Sequence, residues 1–180
     1  MKCARCDADA VYRCALTGTP VCLAHARLAV TATRSGERGE PLTIRPAGPA
    51  DRTAIGSLAL YFWDETDVDC FEQCYDVRVL SAFVAQEKGD GEVVGCLSYA
   101  VEADTMTVVM LNVLPSHQGR GAGAGLIRAA VDEARAQGLT VIRVATTNDD
   151  LLALALYQRH GFRLTGLLPG LVADHHGEEL

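Results

Sequence analysis

Residues 113–126 read VLPSHQGRGAGAGL, and this glycine-dense turn decides the fold. It follows a β-rich run at 106–113 and leads into an amphipathic helix predicted over 123–137. A helix N-terminus offers unpaired backbone N–H groups and a partial positive charge, so it attracts anions. Glycines remove the Cβ atoms that would keep the main chain away from a phosphate. The stretch therefore predicts a site for a phosphate-bearing cofactor.

Composition limits the kinds of function. The chain has 180 residues, 49% of them apolar, which fits one main domain plus a small appendage. Its 16 Lys+Arg and 23 Asp+Glu give a net charge of −7, which argues against a broad nucleic-acid surface. No apolar run approaches the roughly 20 residues of a membrane span, and no apolar leader follows Met1. We therefore expect a cytoplasmic protein with no nucleic-acid or membrane partner.

Three segments differ in character. Residues 1–28 are cysteine-rich, residues 29–41 form a polar linker, and residues 42–180 have the pattern of an α/β domain. In that domain, periodicity predicts strands at 42–45, 82–86, 93–101, 106–113, 141–145 and 162–168. It predicts helices at 51–62, 67–75, 123–137 and 149–160. This order indicates a mixed sheet with helices on both faces, in which the apolar strand 141–145 is buried.

Two common phosphate-binding motifs fit the glycine turn poorly. A mononucleotide P-loop requires Gly-Lys-Ser/Thr after the glycines, and this chain has none. A dinucleotide fingerprint is formally met by Gly119-x-Gly121-x-x-Ala124. However, Pro115 precedes it, no acidic residue lies about 20 residues further on, and the preceding strands are linked as hairpins.

A third interpretation fits several segments in order. QGRGAG at 118–123 resembles the Gln/Arg-x-x-Gly-x-Gly/Ala coenzyme A motif of the GNAT acyltransferase superfamily. LNVLP at 111–115 is similar to the fourth strand of that family, and 148–162 is similar to its helix with the catalytic tyrosine. The resemblance covers about residues 42–168. It implies a mostly antiparallel mixed sheet flanked by helices, and transfer of an acetyl group from acetyl-CoA to a primary amine by direct attack in a ternary complex.

The resemblance also implies roles for individual residues. Tyr157 would be the general acid that protonates the departing thiolate. The alternative for Tyr157 is a tyrosine that only packs in the core. The alternative for the glycines is a plain tight turn. The implied acetyl-CoA contacts are Leu111, Asn112, Val113, Gln118, Gly119, Arg120, Gly121, Ala122, Gly123 and Asn148.

Two of these roles have open alternatives. Asn148 lies nine residues before Tyr157, whereas many relatives have an asparagine at the position of Asp150, so Asn148 could instead cap the helix. The proposed general base is Glu65, within the acidic run 64–67 beside a tryptophan. A solvated acidic loop is the alternative there. Asp104 and His117 are weaker candidates for the base.

The N-terminal cysteines predict a structural zinc site. Cys3-x2-Cys6 and Cys22-x2-His25 are two chelating pairs separated by 15 residues, a spacing suited to tetrahedral zinc. Cys14 could replace His25 as the fourth ligand. The run resembles a B-box-type zinc finger, which implies contact with a protein partner. Elsewhere, 70–74 is predicted to be helical, so its two cysteines could share a face as structural residues, metal ligands or oxidisable thiols.

The C-terminal end leaves one strand unaccounted for. The family closes its sheet with a hairpin of a sixth and a seventh strand, and no convincing seventh strand precedes Leu180. An exposed edge predicts a possible homodimer. Alternatives to catalysis are a non-catalytic acyl-CoA sensor and an interaction module recruited through the zinc finger. The acceptor is open among polyamine, amino acid, antibiotic, peptide N-terminus and lysine side chain.

Overall fold

The computed structural model describes residues 42–89, 91–148 and 150–166, together with the backbone of two short strands near the N-terminus. The chain divides into two compact units, Met1–Arg38 and Gly39–Leu180. In the first unit, β1 (Tyr12–Arg13) pairs antiparallel with β2 (Pro20–Val21). The predicted zinc ligands lie outside the described residues: Cys3, Cys6, Cys22 and His25, with Cys14 as the alternative.

The second unit contains a five-stranded sheet and a separate two-stranded hairpin, seven described strands in all. Its strands are β3 (Thr43–Pro46), β4 (Asp67–Cys70), β5 (Gln73–Asp76), β6 (Ser81–Gln86), β7 (Val93–Glu102), β8 (Thr105–Val113) and β9 (Val141–Val144). Its helices are α1 (Arg52–Trp63), α2 (Ala122–Ala136) and α3 (Leu151–Arg159). The sheet order is β3-β6-β7-β8-β9, and every pair is antiparallel except β8–β9, which is parallel. The predicted mixed, mostly antiparallel sheet is thereby confirmed.

Two apolar clusters cover the two faces of this sheet. Under α2 and α3 lie Phe83, Leu97, Met106, Leu126 and Ile127, each at most 7% exposed. Under α1 lies a second cluster that includes Ile55, Leu58, Val84, Cys96 and Met110. Helices therefore pack on both faces, as the order of elements predicted. None of the described helices is long and apolar enough to cross a membrane.

The predicted helix at 67–75 is wrong, because this segment is the β4–β5 hairpin. Its pattern has a period of two: Val68, Cys70 and Tyr75 turn inward, while Asp69 and Cys74 are exposed. The two cysteines therefore lie on opposite faces of a hairpin and do not share a helical face. Such short alternating stretches lie close to the limit at which helical and strand periodicities can be distinguished.

Two expectations about the last strands also require correction. Strand β9 is not buried: Val141 is 45% exposed, and the other three residues are half-buried. The strand predicted at 162–168 is absent from its described part, 162–166, where residues 163–166 are all exposed. A strand is stable only where a neighbour takes up its ladder hydrogen bonds, and none of the described strands does so there.

Candidate active site

The strands β8 and β9 separate partway along their length. Their ladder runs from Thr105↔Val141 to Val108↔Val144 and then stops, while β8 continues for five residues to Val113. The separation begins at a β-bulge, because Ser98 of β7 faces Met110 and Tyr99 faces Val108. An extra residue in one strand bends it locally. The result is an opening beside the upper half of β8.

The register determines which backbone groups of β8 face this opening. Leu114 N–H donates to the Val94 carbonyl at 2.8 Å, so residues of the same parity, such as Asn112, direct their polar groups to β7. Leu111 and Val113 direct theirs to the open side. The Val113 carbonyl there accepts a hydrogen bond from Gln118 Nε2 at 2.9 Å. The backbone of Leu111 and Val113 thus forms a strand edge that can pair with an extended ligand.

Asn112 differs from its neighbours on β8. It is 8% exposed, and its Nδ2 atom is buried with no hydrogen-bond partner in the described part of the chain. Leu111 and Val113 instead pack with the cluster under α2, so their side chains lie on the opposite face of the sheet. Of the three, Asn112 alone brings a buried polar side chain to this end of β8.

The glycine turn has the geometry that its sequence predicts. After a short 3-10 turn at Pro115–His117, Gly119 and Gly121 have φ of 75° and 91°, in the left-handed region that favours glycine. The first helical bond runs from Gly125 N–H to the Gly121 carbonyl at 2.9 Å. The N–H groups just before Gly125 therefore have no intrahelical acceptor, and the first turn of α2 carries no acidic residue. This end of α2 can bind an anion.

The next two glycines bring α2 close to its neighbours. A Cβ on Gly123 would lie 3.1 Å from Leu156 Cδ2 of α3, and a Cβ on Gly125 would lie 2.8 Å from Ile44 Cγ1 of β3. The glycines therefore serve two purposes, since one pair bends the chain and the other lets the helix pack. A plain tight turn does not require this close packing, whereas N–H groups without an intrahelical acceptor are common to every helix start.

Side chains around the turn attach it to the sheet. His117 Nε2 lies 2.9 Å from Glu87 Oε1, and Ser116 Oγ lies 2.9 Å from His117 Nδ1. A shallow cavity of about 170 Å³ beside the turn is lined by Leu42, Glu87, Lys88 and Arg120. The imidazole of His117 is thus paired with the Glu87 carboxylate just after β6, and Arg120 lines the same cavity as Lys88.

Tyr157 lies on the buried side of α3. It is 8% exposed, and its ring centroid is 5.5 Å from that of Phe162. Burial raises the pKa of the Tyr157 phenol well above its usual value, and the charge of Asp150 and the thiol of Cys70 act in the same direction. The hydroxyl therefore keeps its proton at neutral pH. A buried phenol of this kind is a hydrogen-bond and proton donor at neutral pH.

The cap of α3 is Asp150 and not Asn148. Asp150 Oδ1 accepts the Ala153 N–H at 2.9 Å. Asn148 is exposed two residues earlier and has no hydrogen bond among the described contacts. The capping alternative for Asn148 is therefore wrong. Asp150 stands at the position where many relatives have an asparagine, and here it caps the helix.

The hairpin covers the start of the opening. Burial raises the pKa of the Cys70 thiol. A hydrogen bond from the N–H of Ala145, just beyond β9, lowers this pKa in part. The same thiol is close enough to Tyr157 to raise the pKa of its phenol. Cys70 therefore lies at the end of β9, within electrostatic range of Tyr157.

The structure does not bring Glu65 to this point. Asp69, Asp67 and Glu65 together raise the pKa of the Cys74 thiol, chiefly through the Asp69 hydrogen bond, so the acidic side chains gather on the outer face of the hairpin. Glu65 is exposed, whereas Tyr157 and Cys70 are buried on the inner side. In the described part of the chain no group of three or more His, Cys, Asp or Glu residues could hold a metal.

Three residues of this region were not among those predicted from the sequence: Arg143, Phe71 and Gly95. Arg143 interrupts the apolar strand Val141–Val144, and a period of two places it on the face opposite Ile142. That pattern was a usable signal. Phe71 could not be placed, because its segment was assigned to a helix, and the position of Gly95 depends on the β7–β8 register.

Comparison with known proteins agrees with this geometry. The family model described as the acetyltransferase (GNAT) family matches residues 49–162. An L-methionine sulfoximine/L-methionine sulfone acetyltransferase of Pseudomonas paraeruginosa is 32% identical over 145 residues, 71% of this chain and 83% of that protein. The L-amino acid N-acyltransferase MnaT of Escherichia coli is 29% identical over 143 residues, with the same two coverages, 71% and 83%.

Solved structures share the fold. An IAA acetyltransferase from Bacillus cereus superposes with a TM-score of 0.57 at 26% identity, covering 77% of this chain and 88% of that one. A GCN5-related N-acetyltransferase from Kribbella flavida gives a TM-score of 0.60 at 23% identity, covering 76% and 91%. The chain belongs to the GNAT acetyltransferase family. It is an acetyl-CoA-dependent N-acetyltransferase. This family membership supports an enzyme and not the alternative of a non-catalytic acyl-CoA sensor.

Proposed function

We propose that acetyl-CoA lies along the open edge of β8, with its pyrophosphate at the N-terminus of α2 and its thioester near Tyr157. The opening between β8 and β9 carries this proposal, because it joins the two ends of the site. The first-turn N–H groups of α2, which have no intrahelical acceptor, suit the pyrophosphate. The outward backbone groups of Leu111 and Val113 suit an extended chain that pairs as a strand would.

The chemistry follows from what these groups can do. The neutral nitrogen of a primary amine attacks the thioester carbonyl and forms a tetrahedral adduct, whose oxyanion a backbone N–H of β8 stabilises. Collapse of the adduct breaks the carbon–sulfur bond, and Tyr157 gives its proton to the departing thiolate. The proton from the attacking nitrogen leaves to solvent, and the Tyr157 phenolate takes up a proton from solvent, which restores the phenol for the next turnover. We assign Tyr157, rather than Glu65, to proton transfer at this centre because Glu65 lies on the outer face of the hairpin.

Thiol release and calorimetry with acetyl-CoA test this assignment. Tyr157→Phe should lower kcat by about 100-fold or more, the usual scale for a lost general acid, while the Kd for acetyl-CoA stays the same. Tyr99→Phe is the matched control, because Tyr99 is also buried, at 7% exposure, and stacks on Phe83 in the core. An unchanged kcat in Tyr157→Phe would overturn the role of the phenol.

The acceptor is a primary amine. The relatives' names concern amino acids and their derivatives in the two proteins described above. Other relatives are described as streptothricin acetyltransferase, from Streptomyces lavendulae, and mycothiol acetyltransferase. The shared chemistry of these names favours a small-molecule amine over a protein side chain. A panel of amines with acetyl-CoA, followed by thiol release, identifies the class.

We assign a structural zinc to the module at residues 1–28, joined by the linker 29–41 to the transferase domain at 42–180. Support comes from the spacing of Cys3, Cys6, Cys22 and His25, with Cys14 as the alternative fourth ligand. The β1–β2 ladder also folds the chain between the two pairs back on itself. Metal analysis of the purified protein should find about one zinc per chain. A metal-free protein with freely titratable thiols would contradict the site.

Two partners follow from the same features. A zinc module of this type suits a protein partner, and deletion of residues 1–28 should then remove that partner in a pull-down. Within the described residues β9 is an edge strand, where Val141 is 45% exposed, and such an edge suits a second copy of the chain. Sedimentation at high micromolar concentration should show a dimer, and a monomer at all concentrations would dismiss it.

A further inference from the structure

Arg143 is held in a fixed orientation on the hairpin side of the sheet. Its Nε donates to Thr107 Oγ1 at 2.8 Å, on the residue directly beside it in the β8–β9 ladder. Its Cζ lies 4.3 Å from the centroid of the Phe71 ring. Thr107 is 2% exposed, so the stem of Arg143 lies against buried groups. A hydroxyl below and an aromatic face above fix the plane of the guanidinium.

No carboxylate neutralises this charge within the described residues. Arg45, Arg78 and Arg135 each lie within 4.0 Å of an aspartate oxygen, at 2.7, 2.8 and 3.4 Å. Arg143 has no such ion pair in residues 42–89, 91–148 and 150–166. A guanidinium has five N–H donors, and the bond to Thr107 uses only the one on Nε. The two terminal nitrogens therefore present a fork that suits a carboxylate.

This fork lies beside the reaction centre. Arg143 is one residue before the last ladder pair, Val108↔Val144, so it stands where the strands separate. Ile142 and Val144 pack into the cluster under α2, which puts Arg143 on the opposite face, under the hairpin. Cys70 lies within electrostatic range of both groups: burial raises its pKa, which the charge of Arg143 lowers in part, and the thiol is among the causes that raise the pKa of Tyr157.

The hairpin tip that carries the Phe71 ring has an unfavourable backbone conformation. Phe71 and Glu72 form its two-residue turn with φ of 50° and 64°, where glycine or asparagine is the usual choice. The left-handed region is disfavoured for a bulky residue, because its Cβ approaches the following carbonyl oxygen. Such local strain persists only where the surroundings impose it and is concentrated at functional positions. The ring carried on this turn lies over Arg143.

We propose that Arg143 binds the carboxylate of the acceptor, so that the substrates of this enzyme are amines that also carry a carboxylate, with α-amino acids as the simplest class. This inference rests on the acetyl transfer proposed above and adds the acceptor class to it. A fork held beside the reaction centre would orient the acceptor nitrogen toward the thioester by fixing the other end of a short molecule. Polyamines lack the anion and would be repelled by the same charge.

The test compares acceptors that differ only in the carboxylate. Thiol release is measured with leucine, leucinamide and isoamylamine, and with methionine and 3-(methylthio)propylamine. For the wild-type enzyme, kcat/KM should be about 100-fold higher for each amino acid than for its decarboxylated partner, the scale of a charged hydrogen-bonded pair. Arg143→Gln should lower kcat/KM for the amino acids by about the same factor and leave the decarboxylated amines within about threefold.

Controls separate recognition from folding. Arg135→Gln removes the same charge from the exposed last turn of α2 and should change neither series. Arg143→Lys keeps the charge without the fork and should give intermediate discrimination. The Kd for acetyl-CoA, measured by calorimetry, should be the same in all variants, and this shows that the fold is intact.

Each other outcome counts against a specific claim. Equal rates with amino acids and decarboxylated amines in the wild type would overturn the role of Arg143 while leaving acetyl transfer in place. An equal loss for both series in Arg143→Gln would show a structural role only and would also overturn it. No transfer to any amine by a protein that binds acetyl-CoA would overturn both the proposed function and this inference.

Discussion

Gly95 of β7 lies directly opposite Val113 of β8, and a Cβ at Gly95 would lie 3.0 Å from both the Val113 Cγ2 atom and the Asn112 carbonyl oxygen. Leu114, just beyond, continues the pairing by donating to Val94. The missing side chain of Gly95 therefore allows β8 to approach β7 at the point where its outer edge is open to a ligand. The geometry of that edge depends on a residue that does not face the ligand.

Gly95→Ala should weaken acetyl-CoA binding by pressing on the backbone of β8. Overpacking of this kind costs about 1–3 kcal/mol of free energy. If about 1.4 kcal/mol of this cost opposes binding, the Kd for acetyl-CoA rises tenfold. Calorimetry with acetyl-CoA measures the change. Gly48→Ala is the matched control, since its Cβ would meet only Asp51 Oδ2, at an ordinary 3.8 Å. Equal Kd values in the wild type and Gly95→Ala would show that β8 tolerates the shift.

The raised pKa of Tyr157 predicts the pH dependence of the enzyme. Burial favours the neutral phenol, so its ionisation moves above the usual value of about 10, and the proton donor stays intact throughout the neutral and mildly alkaline range. The rate should therefore not decrease between about pH 8 and pH 9.5 through loss of this proton. A pH profile of kcat tests this. An alkaline decrease below pH 9.5 that disappears in Tyr157→Phe would contradict it.

The ion pair at the start of α1 should stabilise the fold in a pH-dependent way. Arg45 donates to both carboxylate oxygens of Asp51, at 2.7 and 2.8 Å, and the Gly48 N–H donates to one of them at 2.7 Å. The hydrogen bond from Arg45 is the main reason that the pKa of Asp51 is lowered. A lowered pKa in the folded state adds stability above the unfolded value, about 3.9, and this stability is lost as the pH falls through the folded pKa.

Asp51→Asn should accordingly lower the free energy of unfolding by about 2 kcal/mol at pH 7, the scale for hydrogen bonds to a charged group. Urea unfolding at pH 7 and at about pH 3 measures it, and the difference from the wild type should shrink at the lower pH. Asp76→Asn is the control. Its ion pair with Arg78 is more exposed and is screened by solvent, so Asp76→Asn should lower the free energy of unfolding by less than Asp51→Asn does. An equal change in the free energy of unfolding in the two variants would show that burial of Asp51 does not strengthen its ion pair.

Glu65→Gln should leave catalysis nearly unchanged. Glu65 is exposed on the outer face of the hairpin with Asp67 and Asp69, whereas the buried side of the hairpin faces Tyr157. We expect kcat/KM within about twofold of the wild type, because a lost general base costs about 100-fold or more. Thiol release between pH 6 and pH 9 measures both the rate and its acid limb. A large loss together with a changed acid limb would restore Glu65 as the base.

Residue types and their local spacing were sufficient to predict much of the site. The φ values of Gly119 and Gly121, the helix that follows them and the position of Tyr157 on the last helix all depend on interactions within a few residues. The mixed, mostly antiparallel sheet also followed, because runs of alternating residues are joined by short turns. The sheet type was confirmed in the described part of the chain, whereas the roles of the site residues stay predictions.

Other features depend on contacts between distant segments. The stretch around Phe71 has too few residues for its periodicity to decide, and it becomes a hairpin because Cys70 and Val68 are buried against the sheet. Arg143 acquires its fork-like presentation only from Thr107 and the Phe71 ring, 36 and 72 residues away in sequence. The sequence alone determined the glycine turn and the elements around it, since these are set by backbone freedom and local pattern. The tertiary structure decided what faces the opening, because burial and charge at that point are properties of neighbours that meet only in the folded chain.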